Sequence, residues 1–375
     1  MITYDHLTKV FGEGEEAVTA LDDVSFKIEK GDIVIFLGPS GCGKTTTLRL
    51  TNRLESITRG TIEVNGRNVM DMDAVQLRRQ MGYVIQDIGL FPNKTIAENI
   101  AVVPKLLNWP KKKTQERIDE LLTMVRLDPA IYRNRYPAEL SGGQQQRVGV
   151  ARGLAADPEI LLMDEPFGAI DPINREQIQD EFLKVQEELK KTIAFVSHDI
   201  HEAIKMGDKI ALFETGRLVQ YEKPEILLTQ PKNKYVSDFV GADRALKVLG
   251  IVKVGEVYNS QPRNIVKGSD SAESVLNFME QNKVAFCIVL DQEYPIGYVT
   301  KKEIKYEKGP VKDVVKKFPM HLRKRFPARD ALSNMLMHDF RTLCVVDAEK
   351  KFQGTITYDD IQDSIRQSYA LDETA

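Results

Sequence analysis

The chain has 375 residues, 42% of them hydrophobic and 29% charged, which is typical of a soluble globular protein of two or three domains. Its formal net charge of −3 excludes the strongly basic surface of a nucleic-acid-binding protein. Its apolar runs are far shorter than the roughly 18 residues of a membrane span, so a role in transport requires a separate transmembrane partner. We expect no secretion leader, and the unpaired spacing of the three cysteines indicates a reducing compartment.

The stretch from Gly38 to Thr45 follows the apolar run 33–37 and matches the pattern G-x-x-x-x-G-K-[ST]. This order predicts a strand, a glycine-rich loop and a helix, with backbone N–H groups turned toward one point. A nucleotide's phosphates fit there, with Lys44 on the β- and γ-phosphates and the Thr45 hydroxyl on Mg²⁺. The alternative is a plain glycine turn with a solvated lysine. The predicted ATP-binding residues are Gly38, Pro39, Ser40, Gly41, Cys42, Gly43, Lys44, Thr45 and Thr46.

Up to residue 240, strand-like apolar runs alternate with polar helical stretches, which predicts an α/β domain with a largely parallel sheet. Residues from about 90 to 155 are interpreted as an inserted helical subdomain. Near its end, Ser141, Gly142, Gly143 and Gln144 precede a helical stretch and predict a second anion-accepting helix start. A glycine-rich cap is the alternative, and the loop alone does not reveal whether it faces its own nucleotide.

Two carboxylates, Asp164 and Glu165, directly follow the apolar run 160–163. They would lie at the carboxyl end of a strand, where open α/β sheets bind ligands. Asp164 would then reach the Mg²⁺ shell, and Glu165 would orient or deprotonate the attacking water. Adjacent acids after a strand also occur as helix caps or solvated turns. The phosphate loop in the same domain favours the catalytic interpretation.

Taken together, the motifs of residues 1–240 resemble the ATPase subunit of an ABC transporter, a P-loop NTPase fold. The motifs that occur in that family's order are the phosphate loop, Gln86, the signature Leu140-Ser141-Gly142-Gly143-Gln144, the pair Asp164-Glu165, and His198. The resemblance implies two copies paired head to tail. Each ATP would lie between the phosphate loop of one copy and the signature of the other, so that the signature acts in trans.

The same resemblance implies roles for single residues. Phe11 would stack on adenine, and Gln86 would contact Mg²⁺ or water and couple the site to the transmembrane partner. His198 would hydrogen-bond the γ-phosphate, and Asp171 would help to bridge the dimer. The three-residue spacing of His198 and His201 leaves a metal site as an alternative.

Beyond residue 255 the sequence contains an internal repeat. The pairs that lie 57 positions apart include Cys287 and Cys344, Gly297 and Gly354, and Ile304 and Ile361. Each unit is predicted to run helix, strand, turn, strand, helix, and the two units (255–308 and 309–375) to pack on each other after a linker at 241–254. The two cysteines are interpreted as core residues of equivalent strands.

The repeat resembles a tandem pair of CBS domains, which often bind adenine nucleotides through a Thr and an Asp. Thr357 and Asp360 match in the second unit, whereas in the first Thr300 is followed by Glu303. A basic cluster at 321–325, with Lys316 and Lys317 nearby, is either a solvated face or a surface for anionic lipid whose binding weakens with salt.

The stretches 86–92 and 99–109, together with the repeat, resemble importers of glycine betaine, proline betaine, choline or carnitine. We therefore expect an ATP-hydrolysing subunit at the cytoplasmic face of the membrane, gated by its CBS pair. Its expected partners are a second copy of itself, a transmembrane permease and a substrate-binding protein or domain, and no nucleic acid. The alternatives are the ATPase of a methionine- or sugar-type importer, a soluble ABC ATPase, and a regulatory module with an idle ATPase.

Overall fold

A computed structural model describes residues 1–85, 89–168 and 170–370. The chain forms two compact units, one of Met1–Leu227 with Pro231–Val240, and the other of Leu228–Gln230 with the residues from Gly241 onward. Within these described ranges, no helix is both long enough and apolar enough to cross a membrane.

The first unit combines two sheets with helices. Its strands are β1 (Ile2–Phe11), β2 (Val18–Ile28), β3 (Ile33–Leu37), β4 (Arg59–Val64), β5 (Arg67–Asn68), β6 (Met81–Val84), β7 (Ile160–Asp164), β8 (Thr192–Val196), β9 (Lys209–Glu214) and β10 (Arg217–Glu222). Its helices are α1 (Lys44–Thr51), α2 (Ala74–Arg79), α3 (Ile96–Ile100), α4 (Val102–Leu106), α5 (Lys111–Met124), α6 (Pro129–Tyr132), α7 (Gly142–Leu154), α8 (Pro172–Leu189), α9 (Ile200–Met206), α10 (Pro224–Thr229), which crosses the division, and α11 (Lys234–Val240).

The two sheets differ in strand direction. The smaller sheet is antiparallel with the order β2-β1-β4-β5, and the larger has the order β10-β9-β3-β8-β7-β6. In the larger sheet β9, β3, β8, β7 and β6 are mutually parallel, and β10 is antiparallel. Because parallel strands end at the same edge, the residues after β3, β8 and β7 come together there, the place where open α/β sheets bind ligands.

A hydrophobic core that draws on both sheets fixes this edge. The Tyr4 ring of β1 stacks on the Phe26 ring of β2 at 4.3 Å between centroids, and Phe36 of β3 meets Phe26 edge-on at 5.6 Å. All five residues of β3, β7 and β8 are buried, as expected for parallel strands covered on both faces. The strands that lead into the predicted phosphate loop and the two carboxylates are therefore the most rigidly packed ones.

The second unit contains two repeats with the same order of strands. Its elements are α12 (Arg244–Ile251), α13 (Val254–Val257), β11 (Ile265–Lys267), α14 (Ala272–Gln281), β12 (Phe286–Asp291), β13 (Tyr294–Thr300), α15 (Lys301–Ile304), a 3₁₀ helix (Val311–Val314), β14 (His321–Leu322), α16 (Ala328–His338), β15 (Thr342–Val346), β16 (Phe352–Thr357) and α17 (Tyr358–Ala370). The sheets β11-β12-β13 and β14-β15-β16 each have a parallel first pair and an antiparallel second pair.

The two repeats exchange the segments that precede them. Residues 241–254, interpreted above as a linker, carry α12 and the start of α13, and Leu249 and Val254 lie in the core of the second repeat. Conversely, Val311 of the 3₁₀ helix lies in the core of the first repeat. The backbone follows the same exchange, since Val254 N–H donates to Phe326 O at 2.8 Å and Val311 N–H to Asp270 O at 2.9 Å. Each repeat therefore completes the core of the other.

The repeat spacing of 57 is wrong for the central strands. Ile288 pairs with Tyr298 as Cys344 pairs with Thr355, so Cys344 corresponds to Ile288 and the spacing there is 344 − 288 = 56. From Gly297 and Gly354 onward the spacing is 57, because the turn after β15 is one residue longer. Cys287 and Cys344 are both buried, but they point to opposite faces of their sheets. Burial raises the pKa of both thiols, that of Cys287 to about 11, so both stay protonated at neutral pH.

A partly exposed ion pair lies at the end of the first repeat. Lys316 Nζ lies 2.6 Å from Glu303 Oε1, and the Thr300 hydroxyl donates to the same carboxylate. Burial alone would raise the pKa of Glu303, but these two donors outweigh it and hold the pKa at about 2. Glu303 therefore stays ionised well below pH 4.5, and the pair stabilises the second unit throughout the neutral range.

Replacing Glu303 by Gln should destabilise the second unit by no more than about 1 kcal/mol at neutral pH, because solvent screens a pair whose lysine is half exposed. Because the pKa of Glu303 is lower in the folded chain, its ionisation stabilises the fold at any pH above the pKa of the unfolded chain, about 4.5. This stabilisation disappears as the pH falls from about 4.5 to 2. The difference between wild type and Glu303→Gln, measured by urea unfolding with circular dichroism, should vanish over this window. Lys317→Met, at a neighbouring exposed lysine, is the control. If Glu303→Gln lowered the free energy of unfolding equally at pH 7 and at pH 2, the stabilising role of the ionised Glu303 would be contradicted.

Candidate nucleotide-binding and hydrolysis site

The phosphate loop joins β3 to α1 and requires glycine at its two ends. Gly38 has φ +144°, and a Cβ there would lie 2.4 Å from Phe213 O; Gly43 has φ +102°, and a Cβ there would lie 2.6 Å from Ala20 O. Any larger residue would push the loop off the underlying strands. Gly43 is also the N-cap of α1 and carries no side chain, so the first N–H groups of the helix are left for an anion.

A cavity of about 250 Å³ lies over this loop. Its lining consists of Ser40, Gly41, Gly43, Lys44, Thr45, Thr46 and Glu165. The Lys44 ammonium donates to Gly38 O at 2.7 Å and to Pro39 O at 2.8 Å, and it lies 3.7 Å from Cys42 Sγ. Burial raises the pKa of the Cys42 thiol although the Lys44 charge opposes the shift. The backbone carbonyls of the loop thus hold the Lys44 ammonium beside the cavity.

Thr45 and Asp164 bring two oxygen ligands together beside the cavity. The Thr45 hydroxyl donates to Asp164 Oδ1 at 2.9 Å, and Asp164 is buried at the end of β7. Burial raises the pKa of Asp164, which the Thr45 hydrogen bond and the Lys44 charge oppose and the neighbouring Glu165 reinforces. A carboxylate that is costly to ionise, next to a hydroxyl, suits a hard divalent cation, so these residues fit Mg²⁺.

The other metal predictions have different outcomes. Gln86, predicted as a further Mg²⁺ contact, lies outside the described residues. His198 and His201 were the alternative metal pair, and in the part of the chain that the structure describes no group of three or more His, Cys, Asp or Glu side chains is arranged to hold a metal ion.

Glu165 and His198 meet at the ends of neighbouring strands. Asp164 of β7 and Val196 of β8 are in register, and Glu165 N–H donates to Val196 O at 3.1 Å. This pairing brings His198 Nδ1 to 3.3 Å from Glu165 Oε1. A carboxylate that lines the cavity thus has a partly exposed imidazole beside it, an arrangement suited to activating water and contacting a terminal phosphate.

A buried carboxylate that sequence reasoning missed supports the His198 loop. Ser197 donates to Glu202, Gln179 of α8 donates to Glu202 Oε1 at 2.8 Å, and Asp199 N–H donates to Ser197 Oγ at 3.0 Å. Burial raises the pKa of Glu202, while the bonds from Ser197 and Gln179 oppose the shift. The loop that carries His198 is therefore anchored on both sides by α8 and α9.

The predicted signature forms the start of α7. Ser141 is the N-cap: its hydroxyl accepts from Gln144 N–H at 3.3 Å, and Gln144 Oε1 accepts from Ser141 N–H at 2.9 Å. Ser141 and Gly142 are exposed, and Gly143 is half-buried. Among the described residues, neither the cavity lining nor any hydrogen bond joins residues 141–144 to the phosphate loop of the same chain. The structure therefore does not bring the two anion-accepting elements together within one chain.

Asp171, predicted to bridge a dimer, begins α8. Its carboxylate accepts from Asn174 N–H at 3.1 Å and from Asn174 Nδ2 at 2.8 Å. These hydrogen bonds hold the pKa of Asp171 below its usual range. The charge is exposed and lies at the N-terminus of an 18-residue helix, where a carboxylate is stabilised by the helix dipole.

Phe11 has a cation behind it that the sequence analysis did not identify. Lys9 Nζ lies 4.4 Å from the centre of the Phe11 ring, and it donates to Ser56 O at 2.8 Å. Lys9 is buried, whereas 38% of Phe11 is exposed. The alternation of β1, which puts residues 9 and 11 on one face, was the signal that could have revealed the pair.

If Phe11 stacks on adenine, Lys9→Met should raise the KM for ATP about three- to tenfold with little change in kcat, because the ring loses the cation–π contact that holds it in place. Lys9→Arg keeps the cation and should stay close to wild type. Steady-state hydrolysis as a function of ATP concentration measures both constants. An equal rise in KM for both variants would show that the cation plays no part.

The CBS residues predicted to meet a nucleotide form a helix cap. The Thr357 hydroxyl donates to Asp360 Oδ2 at 2.7 Å, and Asp360 N–H donates back to Thr357 Oγ1 at 3.0 Å. Thr300 and Glu303 make the same cap at α15, so Glu303 is a structural equivalent of Asp360. In the basic cluster, Lys324 Nζ lies 4.6 Å over the Tyr258 ring.

Family models match both parts of the chain. A model described as "ABC transporter" matches residues 21–168, and a model described as "CBS domain" matches residues 311–367. Among solved structures, the dimeric ATP-binding cassette MJ0796 bound to ADP and Pi is 34% identical, with a TM-score of 0.56 over 60% of this chain and 99% of that chain.

Whole-length relatives carry both parts. The osmoprotectant import ATP-binding protein OsmV of Salmonella typhimurium is 46% identical over 365 residues, which are 97% of this chain and 96% of that protein. The glycine betaine/carnitine/choline transport ATP-binding protein OpuCA of Bacillus subtilis is 41% identical over 100% of this chain and 98% of that protein. These matches confirm the predicted fold and the resemblance: the chain belongs to the family of ABC transporter ATP-binding subunits, ATP hydrolases that carry a C-terminal CBS domain.

Proposed function

We propose that the chain is the ATP-hydrolysing subunit of an importer for a quaternary-amine osmoprotectant. The observation that carries this proposal is the 46% identity to an osmoprotectant import subunit along 97% of the chain. Other relatives of similar coverage are named for carnitine, choline and glycine betaine transport. These three solutes share a quaternary ammonium group, and this chemistry defines the proposed substrate class. The methionine- and sugar-type alternatives have no comparable support.

The proposed hydrolysis site needs two copies of the chain. One copy supplies Lys44 to the β- and γ-phosphates, and the other supplies residues 141–144 at the exposed start of α7. Support comes from the separation of these elements within one chain and from the dimeric form of the similar cassette MJ0796. Asp171, exposed at the start of α8, would help to bridge the two copies.

Within each site, Glu165 would take the proton of the attacking water, and His198 would hydrogen-bond the γ-phosphate. Mg²⁺ would be held by Thr45, Asp164 and Gln86, and when bound it neutralises charge on the phosphates. Phe11, backed by Lys9, would stack on adenine and orient the nucleotide.

We further propose peripheral attachment to the cytoplasmic face of the membrane, through a transmembrane permease that a substrate-binding protein or domain loads. The CBS pair would regulate ATP hydrolysis by the first unit. Its signal would be an adenine nucleotide near Thr357 and Asp360 or anionic lipid on Arg323, Lys324 and Arg325. Lys316 adds little to the basic surface, because Glu303 neutralises it.

Reconstitution of the chain with its permease and binding protein in liposomes tests the substrate class. We expect ATP-dependent uptake of at least one of glycine betaine, proline betaine, carnitine and choline. Uptake of methionine or maltose instead would refute the proposal.

Neutralising Arg323, Lys324 and Arg325 should flatten the salt dependence of uptake if lipid is the signal, and an unchanged dependence would remove the lipid role.

A further inference from the structure

Gln146 is a buried polar residue in the second turn of α7, the helix that begins at the signature. Only 4% of its surface is exposed, and its side-chain Nε2 donates to the backbone oxygen of Glu165 at 2.8 Å. Buried amides are rare in protein interiors and are held by specific hydrogen bonds. Here the partner is the carbonyl of the proposed general base.

The backbone of Glu165 is in an uncommon conformation. Its φ is +46°, in the left-handed region that non-glycine residues seldom adopt. Such a conformation persists when several contacts determine it together. Glu165 N–H bonds to Val196 O, and Glu165 O accepts from Gly168 N–H at 3.2 Å as well as from Gln146. Of these bonds, the one from Gln146 comes from a separate helix, so it ties the conformation of Glu165 to the position of α7.

The start of the same helix is exposed to solvent. Ser141 caps α7, and Ser141 and Gly142 are exposed, whereas Gln146 is inside the fold. Five residues of α-helix rise about 7.5 Å, and backbone hydrogen bonds between successive turns connect the capped start of α7 to Gln146. A ligand that displaces the exposed start of α7 is therefore expected to shift Gln146 and, through its hydrogen bond, the backbone of Glu165 in the same chain.

We propose that Gln146 is a positioning residue that couples the two ATP sites of the dimer, an inference that rests on the proposed function. The exposed end of α7 contacts the nucleotide held by the partner's phosphate loop, while Gln146 fixes Glu165 beside the nucleotide of its own loop. Occupancy of one site thereby sets the backbone of the catalytic carboxylate in the other, and each chain contributes one such connection.

The test compares Gln146→Leu with Gln186→Leu in the full chain. Gln186 is also a buried glutamine that donates to backbone carbonyls, but those of Gly31 and Lys191 precede β3 and β8, at the opposite ends of these strands from the site. Gln146→Leu should lower kcat about tenfold or more and reduce the Hill coefficient for ATP from above 1 to about 1. ATP binding to the separate chain should change less than about twofold, since Gln146 does not line the cavity. Gln186→Leu should keep the wild-type kcat and Hill coefficient per folded protein.

A second variant gives a readout that loss of packing would not produce. In Gln146→Glu the carboxylate cannot donate to Glu165 O, whereas its neutral acid form can, and burial raises the pKa of such a group. Relative to wild type, its kcat should recover about fivefold or more between about pH 8 and pH 6, and that of Gln146→Leu should not.

Each outcome is decisive. A wild-type chain that hydrolyses ATP with a Hill coefficient of 1, or a Gln146→Leu variant with wild-type kcat and Hill coefficient, overturns the coupling and leaves the proposed function intact. Equal losses in Gln146→Leu and Gln186→Leu, without recovery of Gln146→Glu at low pH, reduce Gln146 to a packing role. A wild-type chain without ATPase activity refutes the proposed function itself.

Discussion

Glu165→Gln is expected to stop ATP turnover while ATP stays bound. The amide has the shape of the carboxylate but cannot accept the proton of the attacking water, and loss of a general base costs about 10²- to 10⁴-fold in rate. The phosphate loop and Phe11 are untouched, so the dissociation constant for ATP should change less than about threefold, or tighten. Phosphate release and equilibrium binding of labelled ATP measure the two quantities.

Glu159→Gln is the matched control for this variant. Glu159 is exposed and precedes β7, whereas Glu165 follows it, so the same substitution is made at the opposite end of the same strand. Glu159→Gln should hydrolyse ATP at the wild-type rate. Normal turnover by Glu165→Gln would remove Glu165 from its role, and loss of ATP binding would show that its charge is needed to assemble the site.

Asp164→Asn is expected to lose hydrolysis and yet keep or gain stability without nucleotide. Because burial raises the pKa of Asp164, ionising this carboxyl costs free energy in the folded chain, and stability falls as the pH rises through the raised pKa. Asn removes this cost and still accepts the Thr45 hydroxyl. We expect the Tm without nucleotide to be unchanged or about 2–4 °C higher, with the largest difference at high pH, and kcat to fall about 10²-fold or more.

The control for Asp164→Asn is the effect of Mg²⁺ itself. Mg²⁺ added with ATP should raise the Tm of the wild-type chain above the value with ATP alone, because the cation offsets the buried charge. That increment should disappear in Asp164→Asn. A variant that unfolds several degrees earlier than wild type and keeps its Mg²⁺-dependent hydrolysis would contradict the assignment of Asp164.

The local parts of the site were predictable from the sequence. The phosphate loop, the Asp164-Glu165 pair and the start of α7 are each set by a few adjacent residues, and the order of strands and helices followed from the alternation of apolar runs. The side-by-side placement of β7 and β8, which brings His198 to Glu165, depends on pairing between distant segments. No local pattern encodes this placement: Glu165 was predicted from its position after an apolar run, whereas His198 was predicted only from the resemblance to a family.

The errors arose where a pattern was ambiguous. Strands β12 and β15 are apolar on both faces, so a one-residue shift preserves the apparent repeat, and Cys287 was aligned with Cys344 rather than with Leu343. Residues 241–254 resembled a linker because Leu249 and Val254 find their core only in the distant second repeat. Gln146 and Glu202 were not predicted for the same reason, since Gln146 bonds to Glu165, 19 residues away, and Glu202 to Gln179, 23 residues away.

The measurement that tests the two-copy site most directly is the mass in solution of Glu165→Gln with ATP, compared with that of Glu165→Gln carrying Ser141→Arg. Ser141 caps α7 at the exposed surface, away from the phosphate loop of its own chain. We predict that ATP converts the single variant from one chain to two, and that the double variant binds ATP with similar affinity but stays a single chain. A double variant that still dimerises with ATP, or one that loses ATP binding together with dimerisation, would contradict a site completed in trans.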